Sequence, residues 1–192
     1  MPDPSSPLCL ASASEMRARL LSAAGIDEAA VKAAYSVSKN KRSLAAVPAE
    51  QKAIQVAARH PRTRVLGADQ TLTSNGTVFD KSNNLAAAQE TSVSPQGKRH
   101  TLTAAERVAR DSEVLWRYQA QAVFEMRPFS VRFLDAYLKQ EGDTMLSSAG
   151  AYRLEDIGAQ LFSAVEGDYF TMLGLPRIPV LVLLRREGVL VS

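Results

Sequence analysis

The pattern of apolar and polar positions predicts an alternation of strands and helices. The stretch "PLCLASASEMRARLLSAAGI" begins with a short apolar run and passes through small residues, and its later apolar positions are three and four residues apart, which predicts a strand, a turn and a helix ending at Gly25. A second helix is predicted from "AEQKAIQVAARHP", because Pro61 ends its pattern. The residues predicted to face inward from this helix are Ile54, Ala57 and Ala58.

Two β-hairpins are predicted in the middle of the chain. The first joins Val65–Thr73 to Thr77–Asp80 through Asn75-Gly76, a pair that tolerates the positive φ angles of tight hairpin turns. The second joins "RHTLTAAERVA" to "EVLWRYQAQAVFEMRPF" and turns at Arg110–Ser112. Since hairpin strands are antiparallel, the sheet is predicted to be mixed.

Helices are predicted to flank this sheet. One is predicted from about Asn84 to Thr91, and another follows Ser130 as its N-cap and stops at Gly142. The remaining segments are predicted as an irregular stretch, a strand, a loop and a closing helix, over 147–160, 161–167, 168–176 and 178–188 respectively. The fold class is therefore α/β, with a mixed twisted sheet flanked by helices in one domain over residues 1–192.

Composition narrows the class of protein. The 192 residues are 46% hydrophobic, enough to bury a core, and a net charge of +3 without a clustered cationic face argues against a nucleic-acid binder. Cys9 is the single cysteine, which excludes an intrachain disulfide and a cysteine-based zinc site, and we predict that it is buried. No apolar run approaches the roughly 18 residues of a membrane span. We expect a cytoplasmic protein with no membrane partner.

An aspartate within an apolar strand is the first indication of a site. Asp is depleted in strand interiors, and a buried charge needs a partner or a metal. Asp69 follows Gly67-Ala68, and Lys81 returns after one tight turn, while Lys52 lies on the preceding helix. A carboxylate can hold Mg²⁺ or orient water and lysines can neutralise a polyphosphate, but an internal ion pair would have the same residues, so both interpretations stay open.

A second candidate lies at the start of the first helix. Ser12 and Ser14 leave room near the backbone, the first helical N–H groups are unpaired, and Arg17 falls in the first turn. Together they could seat a phosphate. The alternative is a serine N-cap with a solvated arginine.

Several familiar sites are unsupported. The chain has no GxxxxGK[ST], GxGxxG, HExxH or GxSxG motif, which gives no support for a P-loop, a dinucleotide fold, a helix-borne zinc protease or a serine hydrolase elbow. His60 and His100 are isolated, and we predict that both lie at the surface or behind the residues of a site.

Seven segments, taken in order, resemble the Maf family of nucleotide pyrophosphatases over nearly the whole chain. Single pieces are common, but the ordered combination of LASxS, GADQ, AGAY and GLP is specific. The segments are "LASASEMRARLLSAAGI", "AEQKA", "VLGADQTL", "FDK", "GKRH", "SAGAYRLEDIGAQLFSAVEGDYFTMLGLP" and "LRREG".

The resemblance implies a fold akin to inosine triphosphate pyrophosphatases, with two lobes around a cleft. It also implies cleavage of a nucleoside triphosphate between the α- and β-phosphates, with Mg²⁺ or Mn²⁺ as cofactor, and a possible homodimer. Carried over by position, Asp69 is the catalytic proton acceptor and a metal ligand. The phosphate-binding positions so implied are Ser12, Arg17, Lys52 and Lys81.

Three positions distinguish branches of the family by substrate. The branch acting on dTTP and UTP has Arg, Thr and Gln there, and the 7-methyl-GTP branch has Trp, Gln and Glu. The corresponding residues are Met16, Gln70 and Glu155, so two of three favour 7-methyl-GTP. Glu155 could accept the N1–H and N2–H₂ donors of guanine, whereas Met16 keeps apolar contact but weakens cation–π selection.

One departure from the family keeps other functions open. The family usually has an Asp-Glu pair between the first two helices, but Asn40 and Lys41 occupy those positions. Ser82 and Arg177 also replace the usual proline and apolar residue. Loss of the acid would suit a weakly active nucleotide-binding paralogue that regulates division, and a dTTP/UTP pyrophosphatase of the same family is the other alternative.

Overall fold

A six-stranded mixed sheet is the framework of the protein. The computed structural model describes residues 8–26, 44–79, 96–142, 150 and 152–190. The strands are β1 (Leu8–Ala11), β2 (Arg64–Ser74), β3 (Thr77–Phe79), β4 (Arg99–Arg110), β5 (Glu113–Met126) and β6 (Phe162–Glu166). They lie in the order β1-β2-β4-β5-β6, with β3 paired to β2. β1 and β2 are parallel, whereas β3 on β2 and β6 on β5 are antiparallel, so the predicted mixed α/β fold is confirmed.

The helices agree with the predicted pattern in most places. They are α1 (Glu15–Ser22), α2 (Ala46–Ala57), α3 (Val131–Glu141), α4 (Tyr169–Met172) and α5 (Arg177–Arg186), with a 3₁₀ helix at Ile157–Leu161. Ser130 caps α3 as predicted, since its side chain accepts a hydrogen bond from the Phe133 N–H. None of the helices in the described part of the chain is long and apolar enough to cross a membrane.

Three local predictions were wrong, and one cannot be compared. The predicted loop at 168–176 contains α4, because Asp168 caps a helical turn there, and the predicted irregular stretch ends in the 3₁₀ helix. Ala58 is exposed rather than inward, since α2 already ends at Ala57. The helix predicted near residues 84–91 lies outside the described residues.

Both hairpin turns have the backbone that the sequence predicts. Asn75 and Gly76 have φ angles of 47° and 76°, and Asp111 and Ser112 have φ angles of 50° and 68°. Two successive positive φ angles are those of a type I′ turn, whose twist matches that of the strands. The Asp111 carboxylate also accepts a hydrogen bond from the Arg62 N–H at 2.7 Å, which helps to hold a turn made without glycine.

The chain divides into two compact units. Unit 1 comprises residues 1–70, 104–120 and 168–192, and unit 2 comprises 71–103 and 121–167. In unit 1, apolar side chains cover both faces of the sheet. Leu10, Leu66 and Val108 pack with α1 and α5 on one face, while Cys9 and Ala109 pack with α2 on the other, which confirms the predicted burial of Cys9.

An aromatic cluster forms the centre of unit 2. His100 is only 1% exposed, its ring stacks on Phe124, and its Nε2 lies 2.9 Å from the Tyr152 hydroxyl. Burial lowers the pKa of His100 to about 4. The prediction of a surface position for His100 was wrong, because a neutral imidazole with one hydrogen bond packs as an aromatic core residue.

Gly67 sets the distance between β2 and α2. A Cβ atom at this position would lie 2.2 Å from the Ala49 carbonyl oxygen and 2.7 Å from the Ala53 nitrogen. Both are backbone atoms of the helix that carries Lys52, so no side-chain rotation could relieve the overlap. Only glycine lets the helix pack this closely on the strand.

We predict that Gly67→Ala lowers the free energy of unfolding by about 2 kcal/mol or more, because the helix must move away from the sheet. Urea denaturation of the variant beside the wild type measures this loss. Adding Ala53→Gly should not restore stability, since the nearest overlaps are with backbone atoms. Full recovery in the double variant would contradict the assigned role of Gly67.

Candidate active site

A buried arginine organises the first part of the site. Arg17 lies in the first turn of α1 and is 7% exposed. Its Nε donates to the Gly174 carbonyl at 2.7 Å, and its Nη1 donates to the Ser12 hydroxyl at 2.9 Å and to the Ala68 carbonyl at 3.2 Å. The solvated arginine considered from the sequence is therefore excluded. Among the described residues Nη2 has no acceptor, which leaves this N–H group for a ligand.

The two serines at the end of β1 have different tasks. Ser14 is the N-cap of α1, and its hydroxyl accepts from the Arg17 N–H. Ser12 is buried, and its hydroxyl oxygen accepts from both the Ser14 N–H at 3.3 Å and the Arg17 guanidinium. The helix start, Ser12 and Arg17 are thus linked as one hydrogen-bonded group, and such a group is suited to an anion.

The segment after β6 supplies one of the hydrogen-bond acceptors of Arg17. Asp168 caps α4, because its carboxylate accepts from the Thr171 N–H at 2.7 Å and from the Thr171 hydroxyl at 2.9 Å. The chain then turns at Gly174, whose φ of +108° few residues other than glycine adopt, and its carbonyl binds Arg17. A Cβ at Gly174 would also lie 2.9 Å from the Gln70 Oε1. This role of 168–174 was not predicted from the sequence, although an Asp before a helical turn is a recognisable cap.

Asp69 meets Lys52 on the other face of β2. The Lys52 Nζ lies 2.8 Å from the Asp69 Oδ1 and also donates to the Ala68 carbonyl at 3.4 Å. The two side chains are 13% and 10% exposed, so the pair is largely shielded from water. The other oxygen, Oδ2, has no hydrogen-bond partner within the described part of the chain. The predicted ion pair is present, and it leaves one carboxylate oxygen available.

The carboxylate of Asp69 could hold a divalent cation. No group of three or more His, Cys, Asp or Glu side chains in the described ranges is placed to hold a metal ion by itself. Mg²⁺, however, is commonly held by one or two carboxylates together with substrate phosphates and water. The single available oxygen of Asp69 therefore fits a metal site that the substrate completes.

The structure places the remaining predicted residues as follows. Met16 lies on α1 and packs against the apolar cluster of unit 1. Gln70 is half-buried, and its Nε2 donates to the Thr171 carbonyl at 3.3 Å. Glu155 belongs to unit 2, where its Oε1 lies 3.3 Å from the Arg153 Nε. Lys81 and the Asn40-Lys41 pair lie outside the described residues.

Two further residues were not singled out for chemistry from the sequence. The Arg177 guanidinium lies 3.9 Å from the centroid of the Phe170 ring and Nη1 donates to the Leu20 carbonyl, which ties α5 to α1 and α4. Glu106 is fully buried on β4, and neither carboxyl oxygen has a hydrogen-bond partner among the described residues. The only signal for Glu106 was a charged residue inside the apolar alternation of "TLTAAERVA".

Charges act on one another across this part of unit 1. Burial lowers the pKa of the Arg17 guanidinium, and the negative charges of Asp69 and Glu106 oppose that effect. Burial raises the pKa of Glu106 to about 8, against the opposing effects of Arg17 and Arg107. Glu106 is thus a neutral acid near pH 7, whereas Arg17 keeps its charge.

The fold is that of an α/β protein, and the buried arginine at a helix start and the shielded carboxylate are residues that could bind a phosphorylated ligand. The sequence profile described as "Maf-like protein" matches residues 7–187 of the chain. The chain belongs to the Maf-like family, which confirms the resemblance seen in the sequence.

Similar proteins carry two kinds of name. A nucleoside triphosphate pyrophosphatase of Paramagnetospirillum magneticum is 43% identical over 192 residues, covering 95% of this chain and 99% of that protein. A 7-methyl-GTP pyrophosphatase of Brucella suis is 42% identical over 190 residues, covering 94% and 96%. A nucleoside triphosphate pyrophosphatase of Nitrobacter hamburgensis is 41% identical over 192 residues, covering 96% and 95%. These names agree with the expectation of a hydrolase.

The raised pKa of Glu106 predicts how stability depends on pH. In the unfolded chain the carboxyl ionises near its ordinary pKa of 4.5, but in the folded protein it stays protonated up to about pH 8. Stability is therefore lost as the pH rises from 4.5 to 8, by about 1.4 kcal/mol or less for each pH unit, and then levels off. Glu106→Gln removes this titration.

We expect Glu106→Gln to match the wild type near pH 5 and to exceed it by a few kcal/mol at about pH 8.5. Urea denaturation at both pH values measures the difference in the free energy of unfolding. Glu106→Leu serves as a second variant without a titrating group. A difference between wild type and Glu106→Gln that does not change with pH would contradict the raised pKa.

Proposed function

We propose that the protein hydrolyses a nucleoside triphosphate between the α- and β-phosphates, giving a nucleoside monophosphate and pyrophosphate. The observation that carries this proposal is the pairing of Asp69 with Lys52 beside the candidate anion-binding site, which is formed by Arg17 and Ser12. Both parts lie in unit 1, and the Ala68 carbonyl, next to Asp69, accepts from both Arg17 and Lys52. Membership of the Maf-like family and the names of the relatives support the same reaction.

The roles of the residues follow from their contacts. Arg17, held by Ser12 and the Gly174 carbonyl, presents its Nη2 to a phosphate oxygen without having to be reoriented. Lys52 places a positive charge beside Asp69, where it can stabilise the negative charge that develops on the phosphate as water attacks. The Asp69 carboxylate, whose two oxygens offer about four lone-pair sites, accepts the proton of that water.

The reaction requires no covalent intermediate with the protein. Water, deprotonated by Asp69, attacks the α-phosphorus, the bond from the α-phosphorus to the bridging oxygen breaks, and pyrophosphate leaves with that oxygen. A bound Mg²⁺ or Mn²⁺ would neutralise charge on the phosphates, with Asp69 as its ligand. Catalysis then rests on position and charge, which are the features that this site provides.

We propose 7-methyl-GTP as the preferred substrate. Gln70 and Glu155 are the residues found in the 7-methyl-GTP branch at two of the three positions that separate branches, and the name of the Brucella suis relative supports this choice. Glu155 is 23% exposed and forms an ion pair with Arg153 through Oε1. Its carboxylate oxygens can still accept hydrogen bonds from the edge of a guanine base. Methylation gives the base a positive charge, which would strengthen its interaction with this carboxylate.

We expect metal-dependent release of pyrophosphate from 7-methyl-GTP, reduced at least about 10²-fold in Asp69→Asn because the proton acceptor is lost. The assay compares 7-methyl-GTP, GTP, dTTP, UTP and CTP, each with Mg²⁺ or Mn²⁺. Asp168→Asn is a matched control: it keeps a capping oxygen on α4 and should retain activity. Activity on dTTP or UTP alone would keep the enzyme and overturn the substrate.

A weakly active nucleotide-binding regulator of division is the second candidate function. Its basis is Lys41 at the position of the family's acid, a residue outside the described ranges. Calorimetry with the same nucleotides separates the two functions. Binding without hydrolysis in the wild type, whichever metal is supplied, would favour the regulator.

We predict that Glu155→Gln reduces the preference for 7-methyl-GTP over UTP, because an amide carries no charge for the cationic base and supplies an N–H₂ where a second acceptor is needed. The ratio of kcat/KM values for the two nucleotides should fall about tenfold. Asp156→Asn is the control, since it changes a neighbouring carboxylate that also pairs with Arg153. An unchanged ratio in Glu155→Gln would contradict the role of Glu155 in base selection.

A further inference from the structure

Glu106 is a buried carboxyl group whose side chain makes no hydrogen bond within the described part of the fold. It is 0% exposed, and both of its oxygens lack a hydrogen-bond partner in the part of the chain that the structure describes. A buried polar group in that condition costs free energy, and most native proteins avoid it. An apolar side chain would pack there at lower cost, so the retained acid calls for a functional explanation.

The position of Glu106 on β4 links it to the candidate anion-binding site of Arg17 and Ser12. Side chains alternate along β4, so Glu106 shares a face with Val108, which packs in the same apolar cluster as Ala68 of β2. Arg17 donates to the Ala68 carbonyl and is one of the two cations that act on Glu106. Glu106 therefore lies on the face of the sheet that carries the apolar cluster beside the Ala68 carbonyl, and its charge and that of Arg17 act on each other.

The other charges near Glu106 have partners of their own. Arg107, the second cation that acts on it, lies 3.4 Å from Glu50 and donates to the Tyr118 carbonyl. Glu50 in turn is bound by Arg117 of β5 at 3.0 Å. Two more charged groups lie on elements that pack on this face: Arg64 of β2, which pairs with Glu187 at 3.7 Å, and Arg177 of α5, which donates to the Leu20 carbonyl. The other side chains there are apolar: Leu66 and Ala68 of β2, Leu20 and Leu21 of α1, Trp116 of β5, and Val180 and Leu184 of α5.

We propose that Glu106 tunes phosphate binding by Arg17: protonated, it leaves the charge of the guanidinium available to a polyphosphate, and ionised, it becomes a counter-ion that offsets this charge and weakens phosphate binding. The inference rests on the proposed function, since it takes Arg17 as a phosphate-binding residue. With Glu106 neutral, the charges of Arg17, Lys52 and Asp69 sum to +1 in this part of unit 1. With Glu106 ionised, they sum to zero.

Calorimetry with inorganic tripolyphosphate, without metal, tests this directly at pH 7 and pH 9. These values bracket the titration of Glu106, whose pKa burial raises to about 8. We expect wild type and Glu106→Gln to bind equally at pH 7 within about twofold. Between pH 7 and pH 9 the wild type should lose about tenfold more affinity than Glu106→Gln, on the scale of a unit charge at a distance of several ångström.

Glu50→Gln is the matched control. Glu50 is another carboxylate of unit 1, but its hydrogen bond with Arg117 holds its pKa below the usual value, so it does not titrate between pH 7 and pH 9. This variant should lose affinity with pH as the wild type does. The ionisation of tripolyphosphate itself is common to all three proteins and cancels in the comparison. Glu106→Leu replaces Glu106→Gln if the amide variant does not fold.

Equal losses of affinity in wild type and Glu106→Gln would overturn the inference, because a merely structural Glu106 would leave the pH dependence of binding unchanged. The assay of hydrolysis with Asp69→Asn separates this failure from that of the proposed function. Asp69-dependent hydrolysis with equal losses of affinity overturns the role of Glu106 alone. Absence of both hydrolysis and tripolyphosphate binding overturns both proposals.

Discussion

The buried guanidinium of Arg17 is the interaction on which the site depends. A cation taken out of water needs hydrogen-bond acceptors, and the fold provides three for Nε and Nη1: a carbonyl from β2, a hydroxyl from the end of β1 and a carbonyl from the segment after α4. Three stretches distant in sequence are thereby fixed around one charged group. Asp168 and Gly174 fix the conformation of the third stretch, because Asp168 caps α4 and the Gly174 carbonyl accepts from Arg17.

The second constraint is the close approach of α2 to β2. Without a side chain at Gly67, the helix packs on the strand at backbone distance, and Lys52 on that helix reaches Asp69 on that strand. Arg17 and Lys52 thus approach the Ala68 carbonyl from α1 and α2, on opposite faces of β2. An aspartate is tolerable in this strand because the lysine pairs with it.

Much of the fold followed from local patterns, for physical reasons. The turns at Asn75-Gly76 and at Arg110–Ser112 and the Ser130 cap are set by neighbouring residues, so the sequence alone predicted them. The 2.8 Å pairing of Lys52 with Asp69 was one of two open interpretations. Arg17 binds a carbonyl 157 positions away, and Glu106 has no hydrogen-bond partner among the described residues; both facts depend on long-range packing, which no local pattern encodes.

The central claim is that Asp69 directs water to the α-phosphorus of a nucleoside triphosphate. The most direct test is hydrolysis in ¹⁸O-labelled water, followed by mass spectrometry of both products. The account predicts that the label enters the nucleoside monophosphate and that pyrophosphate carries none. Label in the pyrophosphate would place the attack on the β-phosphorus and contradict the assigned geometry.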